Sequence, residues 1–283
     1  MAQKVLMQTS LRLSFTVYKP EVPPSPKTTP ILVLHGLFGS KTNWNSTCKK
    51  LSTNLKLKRD IIAIDLRNHG DSPNLDDHNY DLMTEDLKGF IEIEKFGDKV
   101  SFLGHSMGGK VAMRYALLFP EKVQHLIVVD IAPVKYQRVK WVEHILTTLT
   151  KIKLPQNVDR ATARNIVEKQ LKSKIKSKET REFLLMNLIS APNGSYKWKC
   201  NYKVLQQNVH KVIDFPELKG KFDKPVLFIA GSESDYVTKE EEPSIKAHFP
   251  NYNLIYIEGA GHNVHTEKPK EFIEFCTKYL DGT

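Results

Sequence analysis

Five short, predominantly apolar runs punctuate the chain: Ile31–Leu34, Ile61–Ile64, Val100–Leu103, Leu126–Val129 and Val226–Ile229. None alternates with polar residues. Each therefore predicts a strand covered on both faces, as in a parallel sheet held between helical layers. Leu11–Tyr18 predicts an edge strand and Asn253–Ile257 a weaker last strand. Helix-length periodic stretches fall between the runs, at 42–55, 80–95, 107–118, 240–248 and 268–280. Leu82, Leu87, Phe90 and Ile91 recur at near-helical spacing, as do Val111, Tyr115 and Leu118. Strand–helix alternation with right-handed crossovers predicts the α/β class: a doubly wound, mostly parallel sheet.

Residues 135–224 break this rhythm. They hold no convincing buried strand, and 138–150, 158–176 and 179–189 read as helices, punctuated by Pro155, Pro192 and Asn193-Gly194. The reading is an inserted all-helical lid (135–224) on a core made of 1–134 and 225–283. Charge singles out the same segment. The chain of 283 residues carries a net charge of +10, and 135–224 holds 20 Lys and Arg against 8 Asp and Glu, leaving the rest near balance. Such an excess suits a solvated face, or attraction of anionic ligands or membrane head groups. Lys172, Lys174, Lys176 and Lys178 alternate without interleaved aromatics, which argues against a nucleic-acid partner.

Composition removes other classes. With 14 Gly and 15 Pro, the chain is neither collagenous nor low in complexity. No apolar run approaches the ~20 residues of a membrane-spanning helix, so no transmembrane segment is expected. Cys48, Cys200 and Cys276 are too sparse for a disulfide framework or a paired-thiolate zinc site, which favours a reducing compartment. The start, MAQKVLMQTSLRLSF, lacks the apolar core of a secretory signal, so a cytoplasmic location is the expectation.

The most specific chemical signal is Gly104-His105-Ser106-Met107-Gly108-Gly109, between the run Val100–Leu103 and the helix at 107–118. A strand-to-helix turn this tight excludes side chains two residues either side of its apex. It thrusts the Ser106 hydroxyl above the sheet and aims the following amides at the same point. A serine nucleophile needs a base. His262, in Gly259-Ala260-Gly261-His262-Asn263 beyond the last strand, is the candidate. His265, three residues on, suggests a metal pair, but no third ligand is spaced nearby, and a structural hydrogen-bonding role is expected. The carboxylate that orients His262 is either Asp130 or Asp235. Both follow strand ends, and periodicity does not choose between them. The second oxyanion donor, beside the Met107 amide, is the Leu37 amide in His35-Gly36-Leu37-Phe38-Gly39. Phe38, His105, Tyr136 and Trp141 are candidate pocket residues. His69 lies in a polar loop and is expected to be solvated. The loop Asp65–Pro73 is expected to brace the sheet edge through its Arg and Asp.

These motifs resemble the α/β-hydrolase superfamily. More narrowly, HGLFGSKTNW (35–44), DLRNHGDSP (65–73), FLGHSMGGKVAM (102–113), VVDIAPV (128–134) and GAGHNVHTEKP (259–269) resemble the branch of α/β-hydrolase domain-containing protein 11 and bacterial acyl esterases. The resemblance implies the α/β-hydrolase fold and a serine esterase or thioesterase acting on acyl, lipid-like substrates through an acyl-enzyme, fatty acyl-coenzyme A among the candidates. It implies no metal or cofactor. In the common superfamily position for the acid this chain has Ser234, whereas the branch places the acid in VDIAP. The resemblance therefore favours Asp130, with Asp235 as the alternative. It also brings in the mitochondrion as a second location, since animal members are often found there. The expected partner is a small-molecule acyl ester or thioester, met by a monomer or homodimer. The competing reading is a ligand-binding or signalling protein on a hydrolase scaffold with little turnover.

Overall fold

A computed structural model describes residues 11–26, 28–136 and 139–282. The leader expectation rests largely on residues 1–10, which lie outside the described residues. So does Arg138, the first residue of one predicted helix.

A seven-stranded sheet runs in the order β1 (Phe15–Tyr18), β3 (Ile61–Ile64), β2 (Ile31–Leu34), β4 (Val100–His105), β5 (Val123–Val129), β8 (Val226–Gly231) and β9 (Tyr252–Ile257). Only the pairing of β1 with β3 is antiparallel; every other neighbouring pair is parallel. Residues of β2, β3, β4 and the end of β5 are buried without exception. Alternate side chains leave a strand on opposite faces, and here both faces are covered. Leu32, Leu34, Ile62, Phe102, Val128 and Phe228 pack against α2 (Tyr80–Glu94), α3 (Met107–Leu118) and α9 (Glu242–His248). Ile31, Val33, Ala63, Leu103, Ile127 and Ile229 pack on the other face against α1 (Asn45–Asn54), α10 (Val264–Glu267) and α11 (Pro269–Asp281). The apolar runs are thus explained by burial on both sides.

The segment after β5 departs from the all-helical expectation. It holds α4 (Val139–Lys151), α5 (Arg160–Lys172), α6 (Lys178–Leu185), a hairpin of β6 (Leu188–Ser190) and β7 (Tyr196–Trp198), then α7 (Tyr202–Gln207) and α8 (Val209–Ile213). The helix expected at 179–189 stops at Leu185, and Leu188 pairs with Trp198. Asn193 and Gly194 take φ of 68° and 67°, the left-handed turn that reverses the chain. Strands of three residues are too short to show alternation. This segment has its own apolar cluster, which includes Ile145, Leu149, Val167, Leu171, Leu184 and Leu205, and Phe38 from the β2 exit joins it. Polar ties fix it over the carboxyl edge of the sheet: Asn187 Nδ2 donates to Phe38 O at 2.8 Å and Asn201 N to Asn68 O at 2.9 Å. All three cysteines are buried and free. Among the described residues no helix is long and apolar enough to cross a membrane.

Candidate active site

Ser106 stands between β4 and α3 with φ 52° and ψ −116°, a conformation costly for any residue with a Cβ. Backbone bonds hold it there: Ser106 N donates to Val129 O, and Ser106 O accepts from Lys110 N, both at 3.0 Å. The turn admits only glycine around it. A Cβ on Gly104 would lie 2.5 Å from Gly108 O, and one on Gly108 2.5 Å from Leu34 O. The motif's spacing is therefore steric.

His262 occupies the loop between β9 and α10. Glu267 holds that loop, accepting from Gly261 N at 2.6 Å and Asn263 N at 3.2 Å. His262 Nδ1 donates to Asp130 Oδ2 at 2.7 Å. Asp130 is buried at the end of β5 with φ 48°. Its carboxylate also accepts from Gly231 N at 3.0 Å through Oδ1 and from the Ser234 hydroxyl through Oδ2. An acceptor-only carboxylate fixes the proton on Nδ1, which leaves Nε2 of the neutral ring as the acceptor. The structure brings Asp130 to His262. Asp235 sits on the exposed turn beyond β8, and the side chain at its neighbour Ser234 faces Asp130.

Ser106 and His262 line one cavity of about 710 Å³. Among the described residues Ser106 Oγ makes no hydrogen bond, to His262 or to any other group. Such contacts often tighten only when substrate is bound. Apolar walls come from both parts of the chain: Leu37, Phe38 and Trp44 from the core, Trp141, Phe183 and Leu184 from the insertion.

Comparison with known proteins identifies the family. The α/β-hydrolase fold family matches residues 29–269. The chain belongs to the α/β-hydrolase family. It is similar to sn-1-specific diacylglycerol lipase ABHD11 of Danio rerio, with 38% identity over 89% of this chain and 78% of that protein. It is also similar to esterase YbfF of Escherichia coli, with 32% identity over 89% of this chain and 93% of the other. Among solved structures, a marine microorganism esterase superposes with a TM-score of 0.85 at 37% identity, covering 95% of this chain and all of that one.

The remaining predicted residues of this α/β hydrolase divide between two spaces. Leu37, Phe38, His105 and Trp141 line the large cavity, and Trp141 is half exposed. Met107 and Tyr136 do not reach it. They line a second cavity of about 60 Å³, to which Leu37 and Ser106 also contribute. Tyr136 is turned away because its hydroxyl accepts from Ala132 N at 2.9 Å and donates to Tyr236 O. The Met107 amide opens α3 and has no intrahelical acceptor, and no acceptor for the Leu37 amide occurs among the described residues. The Leu37 turn is pinned by its neighbours. His69 Nδ1 donates to Arg67 O at 3.0 Å, which leaves Nε2 to accept from Phe38 N at 3.2 Å. His69 is thus buried and bonded, contrary to the solvated role expected of it, because the Asp65–Pro73 loop folds inward. That loop does brace the edge: Arg67 pairs with Asp86 and Asp65 with Lys41, both at 2.5 Å.

Two histidines flank His262 and stay neutral. His105 Nε2 bonds His262 O at 2.9 Å; burial, then the neighbouring His262 and His265, hold its pKa well below the usual value. His265 stacks on Trp44 at 4.1 Å, and burial, then His262, push it down to about 3. The hydrogen-bonding role expected of His265 is replaced by stacking: its Nδ1 has no partner among the described residues. Sequence reasoning missed Tyr236, whose ring stacks on His262 at 4.0 Å. It also missed Ser234 as a donor to the acid, for which the serine in the superfamily's acid position was the available signal.

Proposed function

We propose that this protein is a serine hydrolase that cleaves carboxylic esters or thioesters of acyl, lipid-like substrates through an acyl-enzyme. The observation that carries the reading is the chain of contacts from buried Asp130 to His262, which shares a cavity wall with Ser106 at its strained turn. Ser106 Oγ attacks the acyl carbon as His262 Nε2 takes its proton. The carbonyl π pair moves onto oxygen, where the Leu37 and Met107 amides stabilise it. Collapse expels the alcohol or thiol, which takes the proton from His262. A water then attacks the acyl-enzyme and gives a proton to His262. That proton returns to Ser106 as the carboxylic acid leaves. Asp130 orients the imidazole and stabilises its charged form.

We take 135–224 as a lid over a core of 1–134 and 225–283. The apolar walls it contributes, and a volume within the range of small-molecule sites, support a lipid-like acyl ester as substrate. The names of the relatives, a diacylglycerol lipase and two esterases, point the same way. The test is labelling by a fluorophosphonate probe together with turnover of p-nitrophenyl acyl esters. Ser106→Ala should abolish both while the thermal melt stays intact. Undiminished labelling of the variant would reject the nucleophile. Strong labelling of the wild type without turnover would favour a ligand-binding role.

A further inference from the structure

Lys110 is the one lysine of α3, and it is buried on the helix face that meets the nucleophile, 2% exposed. It lies one turn beyond Ser106, and its amide bonds Ser106 O. Its ammonium lies over three rings, at 5.5 Å from Tyr80, 5.0 Å from Tyr136 and 4.9 Å from Phe215. Its hydrogen bonding is poor by comparison. The acceptor it has among the described residues is Ile213 O at 3.4 Å, so two of its N–H bonds lack partners. The hydroxyls around it are committed elsewhere, Tyr80 OH to Val212 O at 2.7 Å and Tyr136 OH to Tyr236 O. Asp214 bonds Lys135 through Oδ2 at 2.7 Å; its buried Oδ1 has no partner among the described residues, and no hydrogen bond joins it to Lys110.

A buried ammonium with no hydrogen-bonded counter-ion is expensive. This one lines the small cavity of about 60 Å³ that also holds Ser106 and the Leu37 and Met107 turns. The space takes about four to six non-hydrogen atoms, at roughly 10–15 Å³ for each water-sized position. A long chain does not fit there, whereas the large cavity of about 710 Å³, which Ser106 also lines, has room for one. Lys110 and Ser106 both line this small space.

We propose that the small cavity is an acyl subsite for a short chain ending in a carboxylate, with the Lys110 ammonium as its counter-ion and the larger cavity taking the leaving group. The proposal rests on Ser106 as nucleophile. A bound carboxylate fills the two idle N–H bonds and offsets the loss of water. Burial has pushed the free amine down to about 7, with Asp214 opposing, so the subsite waits with a weakly held proton that an anion would stabilise.

The experiment compares kcat/KM for monoethyl succinate and ethyl butyrate, by titration of released acid near pH 7. In the wild type the succinate half-ester should be the better substrate. Lys110→Met should lower the succinate-to-butyrate ratio at least tenfold, since a charge-assisted contact is lost to one substrate alone. An unchanged ratio in that variant overturns the proposal. A second measurement needs no variant: monoethyl succinate should slow fluorophosphonate labelling of the wild type more than equimolar ethyl butyrate does. Equal slowing by the two also overturns it. A wild type that resists labelling altogether would strike the Ser106 reading instead, which separates the two failures.

Discussion

Replacing Asp130 by Asn changes one atom and reverses one hydrogen-bond polarity, so its effect can be worked from the contacts. The carboxylate accepts three bonds: from His262 Nδ1 at 2.7 Å, from the Ser234 hydroxyl and from Gly231 N at 3.0 Å. An amide has one acceptor oxygen. If that oxygen faces His262 and Ser234, the new NH₂ faces the Gly231 amide, donor against donor, in a buried site. If the amide flips, its NH₂ faces His262 Nδ1. The ring then accepts there and carries its proton on Nε2, where it cannot take the Ser106 proton. Loss of the imidazolium's counter-charge adds to either outcome. Substitutions of this type at a serine–histidine–carboxylate site lower turnover by about 10⁴, equivalent to about 5 kcal/mol of barrier. We expect Asp130→Asn to lower kcat for a p-nitrophenyl acyl ester by about 10³–10⁴, with the melt shifted by only a few degrees. Asp235→Asn, on the exposed turn beyond β8, should stay within threefold of wild type. A crippled Asp235 variant beside an active Asp130 variant would refute the reasoning.

Two further outcomes follow from the same geometry. Gly108→Ala places a Cβ 2.5 Å from Leu34 O and 2.7 Å from His35 O, both backbone atoms, so α3 and β2 must part. The cost should be about 1–3 kcal/mol in urea unfolding, with reduced turnover because the Ser106 and Leu37 turns separate; wild-type stability in this variant would contradict the steric account. Acid should also weaken the fold. Burial holds His78 and His265 down to about 3, against about 6.5 when unfolded, so the unfolded chain binds the extra protons and stability falls as pH drops below about 6.5. Between pH 7 and 5 each should cost about 2 kcal/mol, at about 1.4 kcal/mol per unit; equal urea midpoints at the two pH values would be incompatible with neutral buried rings.

Much of this was legible before any coordinates. The buried runs marked every central strand, because a strand covered on both faces has no polar alternation to lose. Gly104 and Gly108 marked the turn at Ser106, because their absent side chains are what the backbone contacts require. The carboxylate that pairs with His262 was not legible from residues alone. Asp130 and Asp235 both follow strand ends, and the choice depends on β5 lying beside β8, with Asp130 N bonded to Ile229 O. The β6–β7 hairpin escaped because three-residue strands carry no period, although Asn193-Gly194 was the local signal for a reversal. Lys110 escaped because lysine is ordinarily read as surface. The clue was its setting, since α3 is apolar at Met107 and from Val111 to Met113 and would leave a cation there no water.

Four of the seven non-glycine residues with positive φ among the described residues lie at the carboxyl edge of the sheet. Phe38 follows β2 at φ 65°, Asn68 follows β3 at 63°, Ser106 follows β4 at 52° and Asp130 follows β5 at 48°. These are left-handed conformations in residues that carry side chains, each costing on the order of 1–3 kcal/mol. Four neighbouring strands thus end the same way, and glycine, which would relieve the cost, is used at none of the four. Each position needs its own group: the Ser106 hydroxyl, the Asp130 carboxylate, the Phe38 side chain that enters the insertion's cluster, and the Asn68 amide that accepts from Leu75 N and Asn201. The fully buried strands beneath supply the rigidity that holds these residues in place. Strain at this edge is therefore tied to the site itself. Ser106→Gly would relieve the strain of its turn and remove the hydroxyl together.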